Sequence, residues 1–172
     1  MLLWFAALAV AGVALVFRDP QLDHRLVALG AVLPVPMDVV VGALRGDLGR
    51  SGPFHAVVTH VFALGLLMGA SIGHRARRKR LLALSIGGFA HLVLDASFTD
   101  TAAFLWPFAS GKAGMLQLVD RGPLISALLE VAGVVTAVWL VQRGQLRSAV
   151  PRRAFLQSGR VELVLRPRRQ RL

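Results

Sequence analysis

Apolar residues run along this chain in five long blocks separated by short polar or basic stretches. The blocks fall at about residues 2–17, 26–44, 54–73, 81–98 and 123–141. Each approaches the ~17–25 residues that a helix needs to cross the hydrocarbon of a bilayer. The first, Leu2–Phe17, is short and ends at Arg18-Asp19-Pro20. The second contains Pro34, Pro36 and Asp38, the third is opened by Pro53, and Pro123 sits where a first helical turn tolerates proline. Periodicity does not separate a core face from a lipid face in such blocks. The need to close every backbone hydrogen bond inside lipid nevertheless favours helices. The pattern predicts an all-α integral membrane bundle of about five transmembrane helices over residues 1–141, followed by a tail at 142–172.

Composition agrees and adds a direction. The chain has 172 residues, of which 55% are hydrophobic, and it carries 20 Lys+Arg against 9 Asp+Glu. Its mean hydropathy is +0.62. A soluble domain of this size would have to hide more apolar surface than it can enclose. If His74–Arg80 is cytoplasmic, Arg18–Arg25 and everything after Val141 are cytoplasmic too, and these stretches hold 16 of the 20 basic residues. The opposite loops hold only Arg45, Arg50, Lys112 and Arg121. The positive-inside bias therefore puts the N-terminus outside and the C-terminus in the cytoplasm of a multi-pass cell-membrane protein. Trp4 and Trp106 then fall near the outer interface and Trp139 near the inner one.

Met1–Phe17 has no Lys or Arg ahead of its apolar run and no convincing cleavage site, so it is expected to remain as a helix. The arginine-rich tail reads as a solvated segment facing anionic lipid headgroups, with Val161–Leu165 a short strand or interfacial turn. No nucleic-acid partner is expected, because no binding module accompanies the charge. The bilayer itself is the expected partner. No cysteine is present, so a metal would be held by His, Asp, Glu or backbone.

Ionisable residues within membrane helices are costly and point to function. Here they are Asp38, His55, His60, His91, Asp95 and Glu130. His91 and Asp95 are four apart and share a helix face. Gly87 and Gly88 just before them allow a neighbouring helix to come close. His55 and His60 are five apart, about 140° around an ideal helix, so they meet only if the first turn is distorted. With Asp38, three helices bring polar residues to one membrane level. Imidazoles and carboxylates suit zinc, manganese or iron, and they equally suit a buried hydrogen-bonded cluster that joins helices. Glu130 stands mid-helix without an evident partner. Asp23 and His24 read as loop or cap residues, Thr99 and Asp100 as a cap or as support for His91, and Asp47 and Asp120 as loop residues. His74 belongs to the basic run. There is no Gly-rich phosphate loop, serine elbow or zincin motif.

Residues Gly87-Gly88-Phe89-Ala90-His91-Leu92-Val93-Leu94-Asp95, then Thr99, then Leu105-Trp106-Pro107-Phe108, resemble the signature of the YdjM-like membrane-bound metal-dependent hydrolases. His55-Ala56-Val57-Val58-Thr59-His60 is similar to that family's His-Arg-x-x-Thr-His-Ser, and Leu33-Pro34 with Asp38 to its Leu-Pro-Asp-x-Asp. The three motifs keep their order and cover about residues 33–108. The departures are Ala56 for arginine, Val61 for the final serine, Val35 for the first aspartate, an Asp38 displaced by one, and no histidine on the first helix.

The resemblance implies His55, His60, His91 and Asp95 as ligands of a divalent metal, expected to be zinc, and Asp38 as a further ligand or a general base. It implies a hydrolase, and the location near the outer headgroups points to a lipid or lipid-linked phosphoester substrate. Two other readings stand beside it: a non-enzymatic membrane protein with a structural His/Asp cluster, favoured by Val35 and Ala56, and a small transporter using Asp38, His91 and Glu130.

Overall fold

The computed structural model describes residues 1–19, 21–47, 52–109 and 122–163, and among these it is all-helical with no strand. In chain order the helices are α1 (Leu2–Phe17), α2 (His24–Val32), α3 (Pro34–Arg45), α4 (Val57–Ala70), α5 (Arg75–Leu94), α6 (Thr101–Phe104), α7 (Gly122–Arg143) and α8 (Ala149–Ser158). Single 3₁₀ turns at Pro53–His55 and Ser97–Thr99 precede α4 and follow α5. Among the described residues two stretches are long and apolar enough to cross a membrane. They are His24–Arg45, with mean hydropathy 2.0, and Gly122–Arg143, with 2.2, each 22 residues long. Helices α1 and α4 are apolar but shorter. Arg50, Lys112, Asp120, Arg121 and the tail beyond Leu163 lie outside the described residues.

The elements break where backbone chemistry requires it. Pro34 and Pro36 have no N–H to give to a preceding turn. The second block accordingly ends one helix at Val32 and starts another at Pro34, with Leu33 between them in helical geometry (φ −55°, ψ −38°). The third block breaks at Ala56, which is extended (φ −87°, ψ 135°). The fourth begins at Arg75 rather than Leu81, because Arg and Lys are good helix formers and lose nothing on an exposed first turn. It ends at Leu94, where Ala96 takes a left-handed conformation (φ 56°).

The core forms where α1 lies between α2 and α7, and where α2 lies against α5. Phe5, Val10, Val27, Ala31, Val35, Ala83 and Leu140 pack there. The approach of α2 to α5 is backbone to backbone. A Cβ on Gly30 would strike the Leu84 carbonyl, and one on Gly87 the Val27 carbonyl. Gly133 of α7 is seated the same way against the Leu3–Trp4 backbone. These small residues bring the polar positions of α2, α3 and α5 within reach of one another.

The tail is not wholly solvated. Helix α8 ends at Gly159 (φ 69°), whose carbonyl accepts from the His24 N–H at 2.9 Å and faces His24 Nδ1 at 3.1 Å. Arg25 donates to the carbonyls of Leu156, at 2.5 Å, and Gln157, at 3.4 Å. Asp23 caps α2 and pairs with Arg25 at 2.9 Å. Burial works to raise the Asp23 carboxyl, yet its bonds to Arg25 hold it below its ordinary value. His24, expected in a solvated loop or a helix cap, is 1% exposed beneath the docked tail. Residues 161–163 follow in irregular backbone, with Val161 buried.

Candidate metal centre

Four segments meet at the C-terminal end of α5. Helix α2 supplies the Ala31 carbonyl, α3 supplies Asp38, the turn before α4 supplies His55, and α5 with its C-cap supplies His91 and Asp95. The break at Ala56 frees His55 from the α4 helix and turns it inward. His55, His91, Asp38 and Asp95 are each no more than 2% exposed. The Phe5 ring of α1 closes one side, 4.2 Å from the His91 ring centre.

The hydrogen bonds fix the tautomers. His91 Nδ1 lies 2.7 Å from the Ala31 carbonyl, which only accepts, so Nδ1 carries the proton. His55 Nδ1 lies 2.5 Å from Asp38 Oδ2, so it too is the donor. The two Nε2 atoms face each other 3.2 Å apart, and were both rings neutral each would turn a lone pair on the other. Two lone pairs at that distance repel unless a cation or a shared proton sits between them. The Asp95 carboxylate stands 3.7 Å from His55 Nε2 and accepts from the Ser97 hydroxyl at 2.9 Å. Among the described residues His55, His91 and Asp95 offer ligand atoms within 4.8 Å of one another, so this buried group can hold a metal ion.

Asp38 does not stand where a free base would. Its carboxylate accepts from the Gly52 N–H and the Phe54 N–H, both at 2.9 Å, as well as from His55. It clamps the 53–55 turn to α3 and orients His55, as carboxylates behind metal-bound histidines do. His60 is not brought into the group. Its Nε2 faces the Phe54 carbonyl at 3.1 Å, and a Cβ on Gly88 would stand 2.6 Å from its Nδ1. The imidazole lines an apolar cavity of about 150 Å³ between α2, α3, α4 and α5, with Met37, Phe54, Leu67 and Leu84 among the other walls. The five-residue spacing explains this. Distorting the first turn turned His55 into the cluster and left His60 on the regular helix, facing α5.

Glu130 lies elsewhere, accepting from the Leu3 N–H at 3.3 Å. Asp100 caps α6 through the N–H groups of Ala102, at 3.1 Å, and Ala103, at 3.2 Å, and Thr99 bonds to the Ala96 carbonyl at 2.8 Å. These bonds serve the local turn and α6, while the support of His91 is the Ala31 carbonyl. Ala31 and Ser97 are the participants that the sequence did not single out. A backbone acceptor carries no residue-type signal, and Ser97 was legible only as a hydroxyl two positions after Asp95. No family model, curated protein or solved structure matches this chain.

Proposed function

We propose that this chain is a multi-pass membrane protein, a divergent relative of the YdjM-like hydrolases, that binds a divalent metal and hydrolyses a lipid or lipid-linked phosphoester. About five helices span the bilayer, with the C-terminus in the cytoplasm and the centre near the outer face. The observation that carries the reading is the pair of Nδ1-anchored imidazoles with their Nε2 atoms 3.2 Å apart beside a carboxylate. Two imidazoles on one tetrahedral zinc, at about 2.0–2.1 Å each, hold their ligating nitrogens about 3.3 Å apart. The donor set is two nitrogens and one oxygen, and three protein ligands with an open fourth position are the pattern of catalytic zinc rather than structural zinc. When bound, such a metal supplies a Lewis acid and a water of lowered pKa. The chain's own residues do the rest. His55, His91 and Asp95 hold the ion, while Asp38 and the Ala31 carbonyl fix the two imidazoles.

Burial of the centre favours a second reading. His91 is 0% exposed and His55 1%, as for an ion or a shared proton that joins α3, the 53–55 turn and α5 without turnover. Metal analysis of the purified chain beside His91→Ala separates proton from metal. One equivalent bound by the parent and none by the variant is expected, and equal content in both overturns the metal site. Release of phosphate or alcohol from a lipid-linked phosphoester by the metal-loaded parent, absent in His91→Ala, is the expected result for the hydrolase. Metal without turnover leaves the structural centre.

A further inference from the structure

We propose that the end of the bundle opposite the metal centre carries a binding site for a phosphate-bearing anion. A cavity of about 590 Å³ opens there, and its walls include Gln21, His74, Arg77, Lys79, Arg80 and Arg160. The size falls in the ~300–1,000 Å³ range of ligand pockets. Its cations come from two separate parts of the chain: the first turns of α5, and Arg160 just past the C-cap of α8. On α5, Arg77 and His91 are fourteen residues apart, roughly 21 Å along the axis. The two sites therefore do not overlap.

Arg160 is not there by chance of a loose tail. Gly159 takes φ 69° and is packed so closely on Asp23 that a Cβ would overlap its carboxylate. The Gly159 carbonyl is held by His24 through its backbone N–H at 2.9 Å. A buried contact thus carries a guanidinium into a cup that α5 already lines with positive charge. Like charges gathered in a partly enclosed space repel unless an anion joins them. Two acids reach the cup, and each already has a cation: Asp23, one of its walls, is taken up by Arg25 at 2.9 Å, and Asp19 pairs with Lys79 at 3.9 Å, which leaves the three arginines of the cup. Among the described residues no carboxylate is within ion-pair distance of Arg77, Arg80 or Arg160.

A second observation points the same way. Helix α5 is 20 residues long and its N-cap, His74, makes no side-chain bond to the first N–H groups. The positive end of its dipole therefore opens into the same cup. Guanidinium forks beside free backbone N–H groups match the oxygens of a phosphate. Basic pockets between helices on the cytoplasmic side take phosphate headgroups in this way.

The full chain in neutral detergent, titrated by calorimetry with inorganic phosphate and separately with a short-chain phosphatidic acid, tests the site. We expect saturable binding at one per chain, weakened at least tenfold in Arg80→Gln/Arg160→Gln. Arg152→Gln/Arg153→Gln, on α8 but outside the cup, serves as the control and should bind as the parent does. Gly159→Val displaces Arg160 and should weaken binding with helix content unchanged by circular dichroism. Binding of phosphatidic acid alone assigns a lipid headgroup, and competition by inorganic phosphate assigns a soluble source. An equal loss in both arginine pairs would reduce the cup to diffuse charge and overturn the proposal. So would the lack of saturable binding by either probe.

Discussion

The protonation of two ring nitrogens decides what the centre can do. Both Nδ1 atoms are committed to oxygen acceptors, at 2.5 Å for His55 and 2.7 Å for His91, so both Nε2 atoms are left for a ligand. Asp38→Asn keeps an oxygen opposite His55 but removes the charge that holds the ring. Partners of this kind contribute about 10–100-fold to metal affinity, and that loss is expected in a chelator competition. His60→Ala should leave metal stoichiometry at the parental value, because its Nε2 faces the Phe54 carbonyl at 3.1 Å instead of the cluster. Retained metal in that variant separates this geometry from a four-ligand site. The sequence made His91 and Asp95 legible through their helical spacing, and Asp38 and His55 through the rarity of charge in apolar blocks. It did not separate a ligand from a residue that orients one, since Asp38 differs from Asp95 only in what its oxygens already accept. Nor did it show which of His55 and His60 would turn inward, because that choice belongs to the extended backbone of Ala56.

Between elements, the contact that positions the site is the crossing of α2 and α5. Gly87→Ala places a methyl against the Val27 carbonyl, where a backbone has to move. Overpacking of this sort costs about 1–3 kcal/mol. Unfolding in detergent should report that loss, together with weaker metal retention, since Ala31 of α2 anchors His91. Gly65→Ala on α4 meets nothing within 4 Å. It should be neutral or stabilise by up to about 1 kcal/mol through helix propensity. The glycines before His91 were readable as a close approach; the partner helix was not, because sequence names the small residue and not what it touches. The docked tail was the less legible element. Its anchor is the Gly159 carbonyl, and its composition resembles any solvated basic segment. Asp23, with its folded pKa below the ordinary value, stabilises this dock above its unfolded pKa of about 3.9. That contribution is lost only as pH falls through the lower folded value. Proteolysis of the tail should accordingly stay slow from neutrality down to about pH 4 and quicken in stronger acid. Asp23→Asn should quicken it at neutral pH.

At the scale of the molecule, the proposed membrane placement turns on how many stretches cross the bilayer. Helix α7 exposes Leu124, Leu128, Val131 and Val135 along most of its length, a surface that suits hydrocarbon. His24–Arg45 and Gly122–Arg143 have the length for a crossing, whereas α4 has 14 residues, about 21 Å of helix against a core of about 30 Å. The 3₁₀ turn at Pro53–His55 adds length at one end of α4, and the basic first turns of α5 suit headgroups rather than hydrocarbon. Two arrangements then make opposite statements about one turn. If only the two long stretches cross and the C-terminus is cytoplasmic, everything from Asp47 to Gly122 lies outside, including Gly73. If α4 and α5 cross as well, Gly73 is cytoplasmic. The five basic residues of Arg75–Arg80 favour the second arrangement, because moving them outside would set the positive-inside bias against itself. A reporter inserted at Gly73 should therefore read cytoplasmic, as should one fused after Leu172, while one at Asp47 reads extracytoplasmic. An extracytoplasmic signal at Gly73 would reduce the membrane domain to two crossings and leave α4, α5 and the His55/His91/Asp95 centre in a domain outside the bilayer.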